Sequence, residues 1–264
     1  MTARTAARTA DRTAESMYPS VAKYLQTSPR ARVPTKVNPS PDAPAALVIV
    51  DTRPLPYLAS VIATAVASHP SWPLYVVGPE RVHASLSEKV YNYVQVVLDV
   101  DTMSIAEYNM LLTSPEFWGI FKEPRVLIFQ SDCVLVRPTP PSFLARSDSS
   151  GSYDYVGAVC GTLDPQSFVM NGGLSLRRVD AMKRCVEHMH RDGDDLTAAE
   201  DVTFCSVMRR HAREFVCPTM EVCDAYAIES RGDPTTAVGM HGTDKAYAPP
   251  ELVDALLDSA AAEK

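Results

Sequence analysis

Apolar residues from Ala46 onward fall into short continuous runs separated by longer segments with helical spacing. The runs Ala46–Val50, Leu74–Val77 and Val94–Leu98 predict buried strands, because they are rich in β-branched residues and do not alternate with polar ones. Helices are predicted between and after these strands, at Leu58–Ala67, Glu80–Val90 and Ser104–Leu112. Strands that alternate with helices at this spacing favour a largely parallel sheet, so we expect an α/β fold.

The second half of the chain has a less regular pattern. A hairpin-like unit is predicted at Phe129–Leu135, and further strands at Tyr153–Ala158 and Leu174–Leu176. Helices are predicted at Val179–His190 and Ala198–His211, the second because apolar residues recur there at helical spacing. The whole pattern predicts a mixed, mostly parallel central sheet flanked by helices.

The two ends differ in composition from the middle. Residues 1–45 are rich in Arg, Ala, Thr and Pro and offer little apolar surface, so we expect a disordered tail, with a short helix conceivable around Met17–Leu25. Residues 46–248 are expected to form one domain, and residues 249–264 a C-terminal helical tail.

The formal charge of −7 is unevenly distributed. Residues 1–45 hold seven Lys and Arg against three Asp and Glu, a surplus of +4, so residues 46–264 carry −11. An acidic body argues against nucleic acid as a partner. No apolar run is long enough for a membrane span or a secretion signal, and the six cysteines form no CxxC pair. We therefore expect a cytoplasmic protein with reduced thiols, while the Arg-rich start leaves organelle targeting open.

Several familiar motifs do not occur in the sequence. It has no phosphate-binding loop with Lys and Ser or Thr, no GxGxxG after the first strand, no nucleophile elbow and no HExxH. These absences weigh against kinases, dinucleotide-dependent dehydrogenases, serine hydrolases and zinc proteases. Phosphate contacts would then come from a metal, from isolated basic residues such as Arg53, and from backbone amides.

Three polar sites have the residue types that such chemistry needs. Asp132 follows a buried strand, where a carboxylate can hold a divalent metal or only cap a turn. Asn171-Gly172-Gly173 can form a turn, or can let backbone and amide groups approach sugar hydroxyls. His241 lies between glycines in Gly239-Met-His-Gly242, which favours a ligand or phosphate contact over a core position.

Glu200 and Asp201 begin a predicted helix. Acids in a first helical turn stabilise the helix dipole, and this alone explains both of them. Either carboxylate can also act as a base towards an acceptor hydroxyl.

These segments occur in a recognisable order. They are Asp51-Thr-Arg-Pro54, Tyr108-Asn-Met-Leu111 with Glu116-Phe-Trp118, Leu127-Ile-Phe-Gln-Ser-Asp132, Tyr153-Asp-Tyr-Val-Gly157, Asn171-Gly-Gly-Leu-Ser-Leu-Arg177, Glu200-Asp201 and Gly239-Met-His-Gly242. Over roughly residues 46–245 the chain resembles a poorly characterised glycosyltransferase-like family, a domain of unknown function similar to the GT-A-fold nucleotide-sugar transferases. The resemblance implies a GT-A-like fold in which a nucleotide-binding half is fused to an acceptor half.

The resemblance also implies roles for individual residues. Donor or nucleotide contacts fall on Thr52, Arg53, Asn109, Gln130, Ser131 and Asp132, and acceptor or sugar contacts on Asn171, Gly172 and Gly173. A divalent metal, Mn or Mg, would be held by Asp132 and His241. Asp132 fills the last position of a DxD-type motif whose first position is Gln130, which departs from the family pattern and weakens the expected affinity for metal. The catalytic residues would be Asp201, as the base of an inverting reaction, and its neighbour Glu200.

The sequence thus predicts a glycosyltransferase that moves a sugar from a nucleotide-sugar donor to an acceptor hydroxyl on a glycan, protein or lipid. Two alternatives stay open. A non-catalytic carbohydrate- or nucleotide-binding protein of the same fold is supported by Gln130. A sugar-nucleotide nucleotidyltransferase would need a Gly-rich, Lys-containing loop after the first strand, and Asp51-Thr-Arg-Pro54 lacks one.

Overall fold

The structure, a computed structural model, describes residues 17–144, 153–160, 164, 167–245 and 247–262. Its strands are β1 Thr35–Lys36, β2 Ala46–Val50, β3 Leu74–Gly78, β4 Val90–Tyr91, β5 Val94–Val97, β6 Arg125–Phe129, β7 Val134–Leu135, β8 Tyr155–Cys160, β9 Val169–Arg178, β10 Ala227–Ile228 and β11 Gly239–Met240. Its α-helices are α1 Pro19–Thr27, α2 Leu58–Ser68, α3 Glu80–Leu86, α4 Ile105–Leu112, α5 Pro115–Gly119, α6 Pro141–Leu144, α7 Val179–Asp192, α8 Glu200–Arg210, α9 Met220–Tyr226 and α10 Pro250–Ala262.

A six-stranded sheet in the order β5-β3-β2-β6-β9-β8 forms the centre of the fold. The first four strands are parallel, and β9 runs antiparallel to both β6 and β8. Every residue of β2, β3 and β6 is buried, as expected of parallel strands covered on both faces. The predicted α/β fold with a mixed, mostly parallel sheet flanked by helices is confirmed.

A second sheet explains why the predicted hairpin at Phe129–Leu135 is wrong. Strand β7 does not pair with β6 but runs antiparallel to β11, in a three-stranded sheet of order β10-β11-β7. Residues 130–133 therefore carry the chain from one sheet to the other. This crossing brings the loop after β11 beside the carboxyl end of β6, since the backbone amide of Thr243 donates to the carbonyl of Asp132 at 3.0 Å.

Of the tail predicted at residues 1–45, residues 17–45 form helices and a strand that pack on the domain, while residues 1–16 lie outside the described residues. Helix α1 buries Val21 and Leu25, and the hydroxyl of Tyr18 donates to the carbonyl of Ala248. Strand β1 pairs with β4. The few apolar residues of this segment suffice for ordering because their positions match an existing apolar surface of the domain.

The C-terminal helix predicted for residues 249–264 corresponds to α10, with residues 263–264 outside the described part. Val253 and Leu256 are fully buried, and α10 packs against α1. The two ends of the described chain thus stabilise each other. Across the described residues, no helix combines the length and apolarity needed to cross a membrane.

Candidate functional site

The carboxyl ends of the neighbouring parallel strands β2 and β6 bring Arg53 and Ser131 together. The guanidinium of Arg53 donates to both carboxylate oxygens of Asp51, at 2.9 and 2.8 Å, and to the hydroxyl of Ser131 at 3.0 Å. Thr52 is buried, and its carbonyl accepts a hydrogen bond from Arg81 at 2.9 Å. Since the side chain of Arg53 is 41% exposed, it retains a face for a ligand at this edge of the sheet.

Asp132 is fully buried at the same edge and faces two basic side chains. Its Oδ2 lies 3.0 Å from Nζ of Lys245, and its Oδ1 lies 3.5 Å from Nε2 of His241. The two predicted metal-binding residues, Asp132 and His241, are therefore adjacent although they are far apart in sequence. Lys245 was missed by the sequence analysis; its signal was a lysine four residues after His241 in the same loop.

His241 is held from several sides. Its backbone amide donates to the carbonyl of Ile228 at 2.8 Å, and its Nδ1 lies 3.1 Å from Oε1 of Glu229. Its Nε2 lies 3.1 Å from Oε1 of Gln130, whose amide nitrogen donates to the hydroxyl of Tyr108 at 3.2 Å. Burial raises the pKa of Tyr108, so this phenol stays protonated. Glu229, too, was missed by the sequence analysis.

Asn171, Gly172 and Gly173 lie inside β9, so the alternative of a turn before a strand is wrong. Asn171 accepts from the amide of Gly173 at 2.6 Å and donates to Oε1 of Glu229 at 3.1 Å. A Cβ on Gly173 would lie 2.3 Å from Nε2 of His241. The absence of a side chain at 173 is what leaves room for the imidazole.

Asp201 lies at the start of α8, beside the same strand. One carboxylate oxygen accepts from the amide of Gly172 at 3.3 Å, and the other from the amide of Val202 at 2.8 Å. The side chain is half-buried, so one side of this carboxylate stays accessible.

Glu200 is buried and forms an ion pair. Arg177, itself fully buried, donates to its two carboxylate oxygens at 2.7 and 3.0 Å. Burial raises the pKa of Glu200, and Arg177 opposes this effect. A Cβ on Gly172 would lie 1.9 Å from Oε1 of Glu200. The ion pair accounts for Glu200 without a catalytic role.

Asn109, predicted to contact the donor, joins α4 to α8. Its Nδ2 donates to the carbonyl of Thr197 at 3.0 Å, and its Oδ1 accepts from the amide of Glu200 at 3.3 Å. Both ends of the buried amide are thus engaged by protein, and Asn109 fixes the start of the helix that carries Asp201.

Two groups of side chains in the described part of the chain offer ligand atoms to a divalent ion. Oδ1 of Asp132 and Nε2 of His241, 3.5 Å apart, are suitably spaced for two ligands of one ion. Away from this site, His188, His211 and Glu214 also bring possible ligand atoms within 4.8 Å of one another. There the two imidazoles are stacked at 3.8 Å with an angle of 23°, so their nitrogen lone pairs do not converge on one point. The geometry favours the pair at Asp132.

Comparisons with known proteins agree with this description of the fold. Residues 93–241 match the family described as "Protein of unknown function (DUF5672)", and because this range is more than half of the chain, the protein belongs to that family. No curated protein matches the sequence significantly.

Solved structures resemble the fold at low sequence identity. The apo form of mouse xyloside xylosyltransferase 1 is 12% identical, with a TM-score of 0.50, over 78% of this chain and 99% of that one. An active-site mutant of LgtC is 14% identical (TM-score 0.39; 62% of this chain and 69% of that one). The glycosyltransferase GlyE of Streptococcus pneumoniae TIGR4 is 10% identical (TM-score 0.38; 61% and 42%). The likeness to the mouse structure identifies the fold as that of GT-A glycosyltransferases.

Proposed function

We propose that this protein transfers a sugar from a nucleotide-sugar donor to an acceptor hydroxyl. The observation that carries the proposal is the meeting of Asp132, His241 and Lys245 at the carboxyl edge of the parallel strands, beside the glycines of β9. Ligands of open α/β sheets bind at this edge. Basic side chains at this edge can bind the diphosphate of the donor, and a carboxylate can bind a cation that accompanies it.

The donor diphosphate would lie between Arg53 and Lys245. Both are partly exposed, at 41% and 24% of their side chains, and both already face carboxylates of the site. Cleavage of the bond between the anomeric carbon and the diphosphate develops negative charge on the leaving group. Two cations held in place before the reaction would stabilise that charge.

Asp132 and His241 fit a divalent cation, Mn or Mg, through one carboxylate oxygen and one imidazole nitrogen. A cation bound there would neutralise charge on the leaving diphosphate. Gln130 supplies only a neutral amide oxygen near this pair, 3.1 Å from Nε2 of His241. The affinity for metal in the absence of donor would therefore be weak, because this site has one carboxylate fewer than a motif with Asp at both positions.

Asp201 is the proposed base towards the acceptor hydroxyl. Its two backbone contacts fix the carboxylate in orientation while its half-exposed side remains open to a substrate. Asn171 uses both ends of its amide within the protein, so its proposed part is to hold Gly172 and Gly173 where their backbone can approach the sugar. The proposed acceptor is defined by its hydroxyl, which a glycan, protein or lipid would each supply.

A non-catalytic binding protein remains the second candidate, favoured by Gln130 and by the ion pair that already joins Asp132 to Lys245. Thermal unfolding with a panel of nucleotide sugars, with and without Mn²⁺, tests the shared part of both proposals. A donor at 100 times its dissociation constant adds about 2.7 kcal/mol to the free energy of unfolding. Asp132→Asn should lose this stabilisation, and the exposed control Asp258→Asn should keep it. No stabilisation by any nucleotide sugar would contradict both candidates.

A further inference from the structure

The two outer strands of the central sheet have different surroundings. Strand β8, at one end, is buried and is covered by α9 and β10. Strand β5, at the other end, pairs with β3, and no strand among the described residues pairs with its other side. Three of its four residues are exposed, and Val97 is 59% exposed. An apolar edge strand with open backbone groups can bind a further strand.

The open backbone groups of β5 belong to Gln95 and Val97. The amide of Leu98 donates to the carbonyl of Gly78 at the end of β3. Successive residues of a strand direct their amide and carbonyl alternately to its two sides. Val96 and Leu98 therefore bond to β3, whereas the amides and carbonyls of Gln95 and Val97 point away from the sheet.

This backbone pattern is complementary to itself. When Val96 lies opposite Val96 of a second copy in an antiparallel pair, Gln95 of each copy lies opposite Val97 of the other. Both residues have outward amides and carbonyls, so each such pair exchanges its hydrogen bonds in both directions. Residues 90–98 contain no charged side chain, so no like charges oppose each other in this register.

The charges at the two ends of β5 favour the same antiparallel arrangement. The chain enters β5 from a segment where the exposed Lys36 and Lys89 outnumber the neighbouring acid, Glu88. It leaves β5 into the exposed Asp99 and Asp101. In an antiparallel pair the basic end of each strand lies near the acidic end of the other, and this contact is attractive. A parallel pair would bring the acidic ends together.

We propose that this protein forms a twofold-symmetric dimer in which β5 pairs with β5 of a second copy, with Val96 at the axis. The contact joins the two six-stranded sheets into one continuous sheet. It lies away from the candidate site, because β3 and β2 separate β5 from β6 by roughly 14 Å at about 4.8 Å per strand. The dimer is therefore independent of the proposed sugar transfer.

Sedimentation equilibrium of the full chain tests the association. The wild type should sediment as a dimer. Val97→Lys should raise the dissociation constant at least about tenfold, because the twofold axis repeats the unpaired charge in both strands. Val216→Lys is the matched control, an exposed valine beside the far end of the sheet, and should change nothing. A wild type that stays monomeric up to its solubility limit, or an unchanged dissociation constant in a folded Val97→Lys, would overturn the proposal.

Disulfide trapping tests the register. In Val96→Cys the two new thiols face each other across the axis, with Cα atoms about 4.5 Å apart, which is within the range of a disulfide. Oxidised glutathione should therefore crosslink Val96→Cys into a dimer on a non-reducing gel. In Val94→Cys, which is more exposed, the same atoms are about 14 Å apart, and crosslinking should not exceed that of the wild type. Equal or stronger crosslinking of Val94→Cys would overturn the proposed register.

Amide hydrogen exchange of the wild type distinguishes a second copy from other occupants of the edge. The amides of Gln95 and Val97 should exchange more slowly as the protein concentration rises, because each is protected only in the dimer. Protection that does not depend on concentration would show that part of the same chain covers β5, and fast exchange at every concentration would show an open edge. Either result would overturn the proposal without any substitution.

Discussion

Gly173 and His241 are in such close contact that a Cβ on residue 173 would lie 2.3 Å from Nε2 of the imidazole. The contact joins the middle of β9 to the loop after β11, two parts of the chain that the central sheet alone does not bring together. The lack of a side chain at residue 173 is therefore a requirement of the candidate cation site.

Gly173→Ala should therefore displace the imidazole and weaken Mn²⁺ binding at least about tenfold, the lower end of the range for perturbed metal-site neighbours. Titration calorimetry measures this. Gly119→Ala is the matched control, because a Cβ there meets nothing within 4 Å. Equal Mn²⁺ affinity in Gly173→Ala and the wild type would show that His241 is not a ligand.

Asp201 and Glu200 are neighbours with different expected effects. Asp201→Asn should lower kcat by about 10²–10⁴-fold with little change in the KM for donor, because the lost carboxylate acts as the acceptor proton moves. Steady-state kinetics with a matched donor and acceptor measures both constants. Near-normal kcat in Asp201→Asn, or retention of the anomeric configuration in the product by NMR, would remove Asp201 as the base of an inverting reaction.

Glu200→Gln should instead reduce stability. It leaves the fully buried guanidinium of Arg177 without its counter-charge, which costs about 3–5 kcal/mol in the free energy of unfolding. Denaturant unfolding measures this difference. A stable Glu200→Gln with lost activity would move the catalytic role from Asp201 to Glu200.

His69 should make stability depend on pH. Burial lowers its pKa from 6.5 to about 4, against a smaller opposing effect of the carbonyl of Ala65. Between these two values the unfolded chain binds a proton that the folded protein does not, so the stability contributed by neutral His69 is complete above pH 6.5. It is lost as the pH falls to about 4. The difference amounts to about 3 kcal/mol.

Denaturant unfolding across this pH range checks the prediction for His69. The pH dependence should be reduced in His69→Gln and retained in His190→Gln, which changes an exposed histidine. An identical slope in all three proteins would show that His69 is not the group responsible.

The packing of α1 gives a further prediction. Leu25→Ala should lower the free energy of unfolding by about 2–5 kcal/mol, because the side chain is buried in the core cluster. Lys23→Ala, exposed on the same helix, is the control and should change little. Thermal unfolding compares the two, and an unchanged melting temperature for Leu25→Ala would mean that α1 does not stabilise the domain.

Strands β2, β3 and β5 could be predicted from sequence almost to the residue. Strand β2 was expected at Ala46–Val50 and has those bounds, because a strand buried on both faces appears as a continuous apolar run. Strand β9 was expected only at Leu174–Leu176 but extends over Val169–Arg178. Its Asn-Gly-Gly segment has the composition of a turn but continues the strand: β6 pairs with residues 174–178, and β8 pairs with residues on both sides of the segment, with a shift in register between them.

Residues of the candidate site could be predicted where a side chain of suitable chemistry directly follows a predicted strand, as Asp132 does. Lys245 and Glu229 could not be found this way. They approach Asp132 and His241 only because β7 leaves the main sheet and pairs with β11, and the local sequence pattern does not encode this crossing. For the same reason the local pattern shows no sign of the contacts that Asn109 and Glu200, predicted to bind donor and to react, make inside the protein.

The release of nucleoside diphosphate from a panel of nucleotide sugars, with candidate acceptors and Mn²⁺ or Mg²⁺ present, tests the proposed transferase activity most directly. The wild type should release diphosphate from at least one donor in an acceptor-dependent way. Asp132→Asn should keep the melting temperature within a few degrees and lose most of that release, and Asp258→Asn should behave as the wild type. Donor binding without release of diphosphate under any of these conditions would contradict the transferase account and favour a binding protein of the same fold.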